Sequence, residues 1–452
     1  MMIAVYGAGY VGLVSAVCFA KLGHQVICAD INSDRIKQLN AGECPIYEEQ
    51  LPELLKEQLS SRRLHFTSEP ALAISKANVH IIATGTPSLP DGSADLSQVF
   101  AVAVQVARET EADALLVTKS TVPVGTGTAI EKLVQEELAR RGKLHRIDVA
   151  SNPEFLREGS AVYDFLNADR IVVGGNEAAL KKLQKLYQPL TSQGIPLVQM
   201  SRVSAELTKY TANTMLACRI SFMNQISNIA AAVGADIDEI REGISLDHRI
   251  GPHFLQAGIG YGGSCFPKDT RALIQTARQL GMNRSLLAAI EEINQLQKGW
   301  VVQQLKAHFH DELQNLTIGI WGLAFKPGTD DLREASSLVI IESLLAAGAK
   351  LRLYDPAAMR SLQKQAEYSP SVAWCNSAEH VLEGGVDALV IATEWPVFRE
   401  FPLSVLARLL KTAPLFDGRN CFEPIKVQMA GISSYYSVGR PHLLGKDINN
   451  AS

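Results

Sequence analysis

The sequence lacks long apolar runs and a surplus of charge of either sign, and each absence excludes a class of protein. Its 452 residues include 43 basic and 47 acidic side chains, for a formal net charge of −4. Without a long basic run, we expect no nucleic-acid partner. No stretch reaches about 18 uninterrupted apolar residues, so we expect no membrane span. The apolar first twenty residues have no basic start and their glycines follow a motif spacing, which argues against a signal peptide.

Cysteine is scarce and unpaired. The seven cysteines are Cys18, Cys28, Cys44, Cys218, Cys265, Cys375 and Cys421. Their odd number, their wide spacing and the lack of a C-x-x-C pair favour a cytoplasmic location over a disulfide framework, and predict no metal site. The length, with 47% apolar and 20% charged residues, is typical of a globular chain of two or three domains.

The N-terminal stretch has the pattern of a dinucleotide-binding βαβ unit. A strand is predicted over Met2–Tyr6, then a G-x-G-x-x-G at Gly7–Gly12, a helix over Leu13–Leu22 and a strand that ends at Asp30. The glycines allow a tight turn and close approach of a pyrophosphate, and the helix N-terminus offers free N–H groups. The predicted cofactor contacts of this turn are Gly7, Gly9, Tyr10, Val11 and Gly12.

Asp30 and Arg35 bear on which dinucleotide binds. An acid at the end of the second strand accepts hydrogen bonds from the adenosine ribose and repels a 2′-phosphate, which favours NAD over NADP. Arg35 follows five residues later, and we interpret it as an adenosine-side contact. The predicted cofactor is therefore NAD.

Further strands end in polar loops. They are predicted at Val79–Thr84, Ala114–Lys119, Ile147–Ala150 and Ile171–Gly175. The last of these is expected to close the sheet. Ligands bind outside the carboxyl ends of strands in such sheets, so Thr86, Thr121 and Glu154 are candidate site residues. Helix capping by Thr121 and an exposed helix-start position for Glu154 are the structural alternatives.

A long helix is predicted over residues 201–233. Lys209 and Asn213 lie four residues apart and therefore on one face of it. A lysine and an amide on so apolar a helix would form an oxyanion site, although two solvated polar residues would give the same pattern. The amphipathic surface also suits a homodimer interface.

The segment Gly258–Asp269 concentrates reactive residue types. Four glycines precede Cys265, and Lys268 and Asp269 follow it. Glycine lets a backbone approach a ligand closely, and cysteine is a nucleophile in its thiolate form. Lys268 is suited to stabilise a thiolate or bind an anion, and Asp269 to position a water. A turn with a buried structural cysteine is the alternative.

The C-terminal part repeats the α/β pattern. A strand and glycine turn begin at Leu316, and strands are predicted at Lys350–Asp355, Ala388–Thr393 and Pro414–Arg419. The likeness of VHIIATGTP to DALVIATEWP indicates two lobes of similar topology. The second lobe lacks a full G-x-G-x-x-G and is expected to bind a different ligand, the nucleotide of the substrate. Its candidate phosphate contacts are Lys326, Arg333 and Arg419.

Six motifs together resemble the UDP-glucose/GDP-mannose dehydrogenase family. In chain order they are GAGYVG at Gly7, STVPVGT at Ser120, NPEFLREG at Asn152, ELTKYTANTMLACRISFMNQ at Glu206, GIGYGGSCFPKD at Gly258 and GLAFKPGTDDLREASS at Gly322. The resemblance implies an α/β fold with two Rossmann-like doubly wound domains joined by a long central helix. It implies an NAD-binding domain at 1–200, a central helical dimerisation domain with the cysteine loop at 201–300, and a UDP-sugar-binding domain at 301–452. It also implies a homodimer or higher oligomer.

The resemblance further implies a reaction, the oxidation of UDP-glucose to UDP-glucuronate with two NAD⁺ and water. Cys265 is then the nucleophile, which captures the aldehyde as a thiohemiacetal and later carries a thioester. Lys209, with Asn213 beside it, is expected to stabilise the developing oxyanion.

The remaining catalytic roles follow from the same resemblance. Glu154 is expected to assist thioester hydrolysis, and Asp269 and Thr121 to hold the catalytic water. Lys268 would lie between cofactor and active site. The resemblance implies that Arg333 contacts NAD, not a substrate phosphate. Thr86, Thr121 and Glu154 are predicted to contact NAD as well.

The implied substrate contacts extend over both halves of the chain. They are Phe155, Leu156, Arg157, Lys209, Asn213, Arg249, Phe254, Leu255, Gln256, Ala257, Gly258, Gly262, Lys326 and Arg419. Arg249 is expected to reach across to a partner subunit.

Other functions remain open at this point. Within the family, UDP-N-acetylglucosamine, UDP-N-acetylmannosamine and GDP-mannose are alternative substrates, although Ser221–Asn224 resembles the UDP-glucose branch. A two-electron β-hydroxyacid-type dehydrogenase shares the two-lobe plan but has no use for Cys265. A non-catalytic NAD-binding scaffold would need none of Cys265, Lys209, Glu154 and Asp269.

Overall fold

The computed structural model describes residues 1–282, 285–365 and 370–443. The chain divides into two compact units. The first comprises Met1–Ala212 with Arg271–Met282, and the second the described residues from 213 to 270 and beyond 282. The three-domain limits at residues 200 and 300 stay a prediction.

A mixed eight-stranded sheet organises the first unit. Its strands are β1 (Met2–Tyr6), β2 (Gln25–Ala29), β3 (Leu64–Thr67), β4 (Val79–Ile82), β5 (Ala114–Thr118), β6 (Ile147–Ser151), β7 (Ile171–Gly174) and β8 (Leu197–Met200). The order is β3-β2-β1-β4-β5-β6-β7-β8, in which β6 and β7 are antiparallel and the other neighbours parallel. The first six strands have the 3-2-1-4-5-6 order of a dinucleotide-binding fold.

Helices cover both faces of this sheet. They are α1 (Tyr10–Lys21), α2 (Ser33–Asn40), α3 (Leu51–Ser60), α4 (Pro70–Lys76), α5 (Ser97–Glu109), α6 (Thr126–Arg140), α7 (Ala161–Leu166), α8 (Glu177–Leu186) and α9 (Gln188–Thr191). In β1, Ile3 and Val5 pack into the core under α1, whereas Ala4 and Tyr6 pack into the core under α5 and α6. Burial on both faces explains why the central strands are continuous apolar runs.

The second unit contains a six-stranded parallel sheet. Its strands are β9 (Thr317–Trp321), β10 (Lys350–Tyr354), β11 (Val372–Trp374), β12 (Ala388–Ile391), β13 (Leu415–Asp417) and β14 (Tyr435–Ser437). The order β11-β10-β9-β12-β13-β14 is again 3-2-1-4-5-6. The helices after β9 are α15 (Ser336–Ala346), α16 (Met359–Gln365), α17 (Ala378–Leu382), α18 (Pro396–Arg399), α19 (Leu403–Leu410) and α20 (Pro424–Met429). The predicted pair of Rossmann-like domains is confirmed.

Five helices lie between the two sheets in sequence. They are α10 (Arg202–Val233), α11 (Ile237–Ser245), α12 (Phe266–Gln279), α13 (Leu286–Lys298) and α14 (Trp300–His308). The first of them has 32 residues, which confirms the predicted long central helix. Within the three described ranges, no helix combines the length and the apolar character that a membrane crossing requires.

The prediction that Ile171–Gly175 closes the first sheet was wrong, because β8 pairs with β7 on its outer side. The sequence analysis also missed β3, β11 and β14. Together with β8, these are the four edge strands of the two sheets. Each is only three or four residues long, so its apolar pattern is too short to stand out.

Candidate active site

The turn between β1 and α1 has the geometry that a dinucleotide requires. A Cβ on Gly12 would lie 1.9 Å from the carbonyl oxygen of Gly7, so only glycine lets the helix pack on the turn. A Cβ on Gly9 would meet nothing within 4 Å, which leaves that face of the turn open to a ligand. The first turn of α1 has no acidic residue and no side-chain cap. These residues fit a bound pyrophosphate at the start of α1.

Asp30 directly follows β2 beside this turn. Its carboxylate accepts the N–H of Ala8 at 2.6 Å and the N–H of Asn32 at 2.8 Å. The guanidinium of Arg35, predicted as an adenosine-side contact, lies 3.2 Å from the same carboxylate. The acid is thus held in place at the strand end, as ribose recognition requires, and Arg35 is oriented by it.

Tyr10, the first residue of α1, is connected to the segment after Glu154 by a residue that the sequence analysis missed. The Tyr10 hydroxyl donates to the buried carboxylate of Glu48. Glu48 also accepts the N–H of Gly159 at 2.8 Å and that of Ala161 at 2.7 Å. Its position in a loop gave no sequence signal for this role.

Thr86 and Thr121 come together at the carboxyl end of the sheet. The Thr86 hydroxyl donates to the carbonyl oxygen of Thr121 at 2.9 Å, which fixes the two strand-end loops to each other. The loop after Thr121 is anchored by the buried Glu206 of α10, whose carboxylate accepts the N–H groups of Gly125 and Gly127, both at 2.7 Å. Thr121 therefore lies in a loop held from both sides.

Glu154 is buried and ion-paired, not exposed at a helix start. Only 5% of it is accessible. One carboxylate oxygen lies 3.1 Å from the ammonium nitrogen of Lys209, and the other accepts the N–H of Leu156 at 2.7 Å. Lys209 is itself 3% exposed, which excludes the solvated alternative. A second buried lysine, Lys119, belongs to the same cluster and donates to the Asn152 side chain at 3.4 Å.

The charges of this cluster determine its protonation. Burial alone would raise the pKa of Glu154, but Lys209, the N–H of Leu156 and Lys119 outweigh burial and hold that pKa below its ordinary value. Burial lowers the pKa of Lys119 to about 8. Attraction to Glu154 opposes this downward shift, and repulsion from Lys209 adds to it. Glu154 is therefore ionised at neutral pH and can accept a proton. The sequence analysis treated Lys119 only as a strand end.

The three residues after Glu154 differ in their surroundings. Two cations flank the ring of Phe155, with the Lys209 nitrogen 5.3 Å and the Arg170 guanidinium carbon 3.8 Å from its centroid. Leu156 contributes its backbone N–H to Glu154. Arg157, a predicted substrate contact, is held by Asp164 through bonds of 3.0 and 2.6 Å.

In the second unit, Cys265 directly precedes α12. Its carbonyl oxygen accepts the N–H of Asp269 at 2.8 Å, the first bond of the helix, and its sulfur lies 3.4 Å from the Ser264 hydroxyl. The thiol is half-buried. A helix N-terminus stabilises negative charge, so this position favours a nucleophilic thiolate over a structural cysteine.

Asp269 joins two other predicted site residues. It is fully buried, and its two carboxylate oxygens accept the Asn213 side chain at 2.7 Å and the Lys268 ammonium at 2.7 Å. Lys268 is thus paired with a carboxylate, whose negative charge offsets the attraction of Lys268 for a further anion. Lys209 and Asn213 share a helix, but the first pairs with Glu154 and the second with Asp269.

Three glycines before Cys265 pack closely against other parts of the second unit. A Cβ on Gly262 would lie 2.3 Å from the carbonyl oxygen of Glu334, and one on Gly263 would lie 2.8 Å from the ring of Phe325. Gly258 packs against Arg419, whose guanidinium donates to the Gly260 carbonyl at 3.0 Å. The predicted phosphate contact Arg419 therefore holds the cysteine loop.

Arg219 holds the loop that leads into the predicted substrate contacts at residues 254–258. The sequence analysis did not identify this role. The Arg219 guanidinium donates to the carbonyls of Ile250, Gly251 and His253, each at 2.9 Å. Phe254 follows with a φ of 60°, in the left-handed region. In the rest of this loop, Leu255 and Gly258 are buried, Ala257 is half-buried and Gln256 is exposed.

Three other predicted cations have different surroundings. Arg249 is largely exposed and pairs with Asp247 at 2.6 Å. Arg333 is also exposed and pairs with Asp331 at 2.7 Å. The Lys326 nitrogen lies 5.6 Å from the ring centroid of Phe325. Their predicted ligand contacts stay predictions.

The second lobe differs from the first at the position equivalent to Asp30. Asp355 follows β10, is 1% exposed and accepts the N–H groups of Leu323 and Ala324 at 2.7 and 3.0 Å. The Trp395 indole donates to the same carboxylate at 3.0 Å, and Ala357 and Ala358 donate to its other oxygen, both at 2.8 Å. With five protein donors, Asp355 is engaged in the fold rather than presented to a ribose.

Sequence models of one family cover most of the chain. The UDP-glucose/GDP-mannose dehydrogenase family matches through its NAD binding domain at residues 1–191, its central domain at 203–296 and its UDP binding domain at 319–424.

Individual relatives agree over nearly the full length. A UDP-glucose 6-dehydrogenase of Pseudomonas aeruginosa is 46% identical, over 98% of each chain. The solved structure of a UDP-glucose dehydrogenase from Pyrobaculum islandicum is 38% identical, with a TM-score of 0.88 over 97% of each chain. A UDP-D-ManNAc dehydrogenase structure from Pyrococcus horikoshii is 28% identical, with a TM-score of 0.84 over 97% of this chain and 99% of that one.

Proposed function

Because the chain belongs to the UDP-glucose/GDP-mannose dehydrogenase family, we propose that it oxidises UDP-glucose to UDP-glucuronate with two NAD⁺ and one water. The cofactor prediction is confirmed by the NAD binding domain over residues 1–191. The observation that carries the proposal is Cys265, a half-buried thiol at the start of α12. An alcohol dehydrogenase that stops at the aldehyde needs no such nucleophile.

The proposed reaction has two oxidations joined by a covalent step. NAD, when bound, supplies a hydride acceptor for each oxidation. The first removes a hydride from C6 and a proton from its hydroxyl, which gives an aldehyde. The Cys265 sulfur adds to that carbon, and the oxygen takes a proton to form a thiohemiacetal. Loss of a second hydride and the hydroxyl proton gives a thioester, and water then releases the carboxylic acid and restores the thiol.

The roles of the other residues are proposed from their chemistry and from the family motifs. Lys209 and Asn213 stabilise the negative charge that develops on the substrate oxygen. Asp269 and Thr121 hold the water. Glu154 accepts a proton from that water, a role supported by its ionised state at neutral pH.

The choice of UDP-glucose is supported by the Pseudomonas aeruginosa relative, named UDP-glucose 6-dehydrogenase, at 46% identity. Binding of a UDP-sugar in the second lobe is supported by the UDP binding domain at 319–424. The second candidate is a UDP-N-acetylhexosamine dehydrogenase, since a UDP-D-ManNAc dehydrogenase from Pyrococcus horikoshii has the same fold at lower identity.

We also propose a homodimer or higher oligomer. The proposal is supported by apolar side chains exposed along α10, which are Val203, Leu207, Met215, Phe222, Ile229 and Val233. The exposed position of Arg249 is compatible with a contact to a partner subunit. A cytoplasmic location is proposed from the seven cysteines, all of which are free thiols.

The deciding experiment measures NADH formed per UDP-glucose consumed at 340 nm. We expect two NADH per sugar for the native chain, a large loss for Cys265→Ser, and full activity for Cys44→Ser, a matched half-buried thiol. One NADH per sugar would mean that the aldehyde is released, and would contradict the thioester route. Turnover only with a UDP-N-acetylhexosamine would favour the second candidate.

A further inference from the structure

The peptide groups before Cys265 are held by buried side chains of three helices, α10, α13 and α15. The N–H of Gly258 donates to the Asn224 side chain of α10 at 2.9 Å. The carbonyl of the same residue accepts the Gln297 amide of α13 at 2.8 Å. Ser336 donates to the carbonyl of Ile259 at 2.6 Å. The loop therefore arrives at the cysteine with its backbone already fixed.

Asn294 of α13 makes the most complete of these contacts. Its side-chain oxygen accepts the N–H of Tyr261 at 2.8 Å, and its side-chain nitrogen donates to the Tyr261 carbonyl at 3.1 Å. The side chain is fully buried, with no accessible surface. Both polar ends of one side-chain amide thus satisfy both backbone polar groups of one residue, an arrangement that fixes the orientation of that residue as well as its position.

The ring of Tyr261 carries this restraint to the residue after the nucleophile. It meets the ring of Phe266 edge to face, with centroids 5.9 Å apart and an interplanar angle of 79°. The two rings pack in one small apolar cluster with Ala217 and Ile290. Because Phe266 is the first residue of α12, movement of Tyr261 would move the helix start and the adjacent Cys265.

From this path we propose that Asn294 is a positioning residue for the Cys265 nucleophile. It acts through Tyr261 and Phe266, without contact to the sulfur. Removing its amide would remove the two hydrogen bonds that hold the backbone of Tyr261 and would release the ring. A displacement of about 1 Å at a reacting atom lowers a rate by about 100-fold. Loss of the helix-start environment would also make the thiolate less stable.

The test compares Asn294→Ala with Gln295→Ala, a matched control in which the neighbouring exposed amide of α13 is removed. Alkylation of Cys265 by iodoacetamide is followed in the full chain without ligands, by mass spectrometry of the Cys265 peptide, from pH 6 to pH 9. The kcat and KM values with UDP-glucose and NAD are measured in parallel. Tyr261→Leu and Tyr261→Phe form a second pair, of which only the latter keeps the ring contact.

We expect Asn294→Ala to lower kcat by about 100-fold with little change in the KM for NAD. Alkylation at pH 7 should slow by about fivefold, and the pH of half-maximal alkylation should rise. Tyr261→Leu should behave likewise and Tyr261→Phe like the native chain. If Asn294→Ala does not fold, the two Tyr261 variants test whether the Tyr261 ring positions Cys265.

An alkylation profile of Asn294→Ala or Tyr261→Leu that matches the native profile would overturn the proposal, whatever happens to turnover. The turnover readout rests on the proposed function, but the alkylation readout does not. If the native chain fails to oxidise UDP-glucose, the proposed function fails, and the alkylation profiles still decide the role of Asn294.

Discussion

Lys119 is expected to destabilise the first unit, and the substitution Lys119→Met tests this. The lysine is 4% exposed, and burial lowers its pKa from the ordinary 10.5 to about 8. At about 1.4 kcal/mol per pH unit, keeping the charge at neutral pH costs the folded state about 3 kcal/mol. This value already includes the attraction to Glu154 and the repulsion from Lys209.

The substitution should leave few unsatisfied groups behind. The Asn152 oxygen that accepts from Lys119 also accepts the Tyr187 hydroxyl at 2.5 Å. Methionine has a similar length and no charge, so it can fill the site. We therefore expect Lys119→Met to be more stable than the native chain by about 3 kcal/mol at pH 7.

The sign of the pH dependence makes this prediction specific. The folded state releases the Lys119 proton near pH 8 and the unfolded state near pH 10.5, so between these values the unfolded state binds more protons. The native chain therefore regains stability as pH rises from 8 to 10.5, and the advantage of Lys119→Met should vanish over that interval. Groups facing Lys119, such as Cys18, are present in both proteins and largely cancel in the difference.

Urea unfolding at pH 7 and pH 10 provides the assay. All four tryptophans, Trp300, Trp321, Trp374 and Trp395, belong to the second unit. Far-UV circular dichroism then reports both units, while tryptophan fluorescence reports the second unit. Lys132→Met removes an exposed lysine of α6 and should change stability by less than about 0.5 kcal/mol. An advantage for Lys119→Met that is absent at pH 7, or equal at both pH values, would refute the reasoning.

Two further predictions concern one residue in each unit. Lys209→Met should destabilise the first unit by about 3 kcal/mol, since it leaves a buried carboxylate without its principal partner. Glu154 now contributes stability that is present above its unfolded pKa and is lost as pH falls through its lowered folded pKa. With Lys209 gone that folded pKa rises toward or above the unfolded value, so the stability lost on acidification should be smaller than in the native chain in urea titrations, and an unchanged acid limb would contradict the pairing. Gly263→Ala should cost about 2 kcal/mol more than Gly328→Ala, because both residues have positive φ but only the first would place its Cβ against Phe325. Tryptophan fluorescence reads both melts, and equal losses would show that the Phe325 contact is unimportant.

The parts of the fold that the sequence predicted share one physical feature. Central strands such as Ala114–Thr118 are buried on both faces and form apolar runs that end at glycine or polar turns. Edge strands such as Leu197–Met200 are short and half-exposed, so their pattern resembles that of a loop. The central helix was predictable because its apolar residues recur over about nine turns.

The site was predictable where residue types alone indicate chemistry, as with Cys265 and the glycine turn. Partners were not, because they come from distant parts of the chain. Glu154 and Lys209 are separated by 54 intervening residues, and the motif around each gives no sign of the other. Asn294 lies on a helix with ordinary amphipathic spacing, where a buried amide and an exposed one look alike.

The burial of the Asp355 carboxylate has a consequence for redesign of the second lobe. The two sheets share one strand order, and an aspartate follows the second strand of each, but the two aspartates have different surroundings. In the first lobe, the acid lies beside an open turn. In the second lobe, the Trp395 indole and four backbone N–H groups all donate to the Asp355 carboxylate. Grafting a glycine fingerprint onto the second lobe would therefore not create a second dinucleotide site unless Trp395 were also replaced.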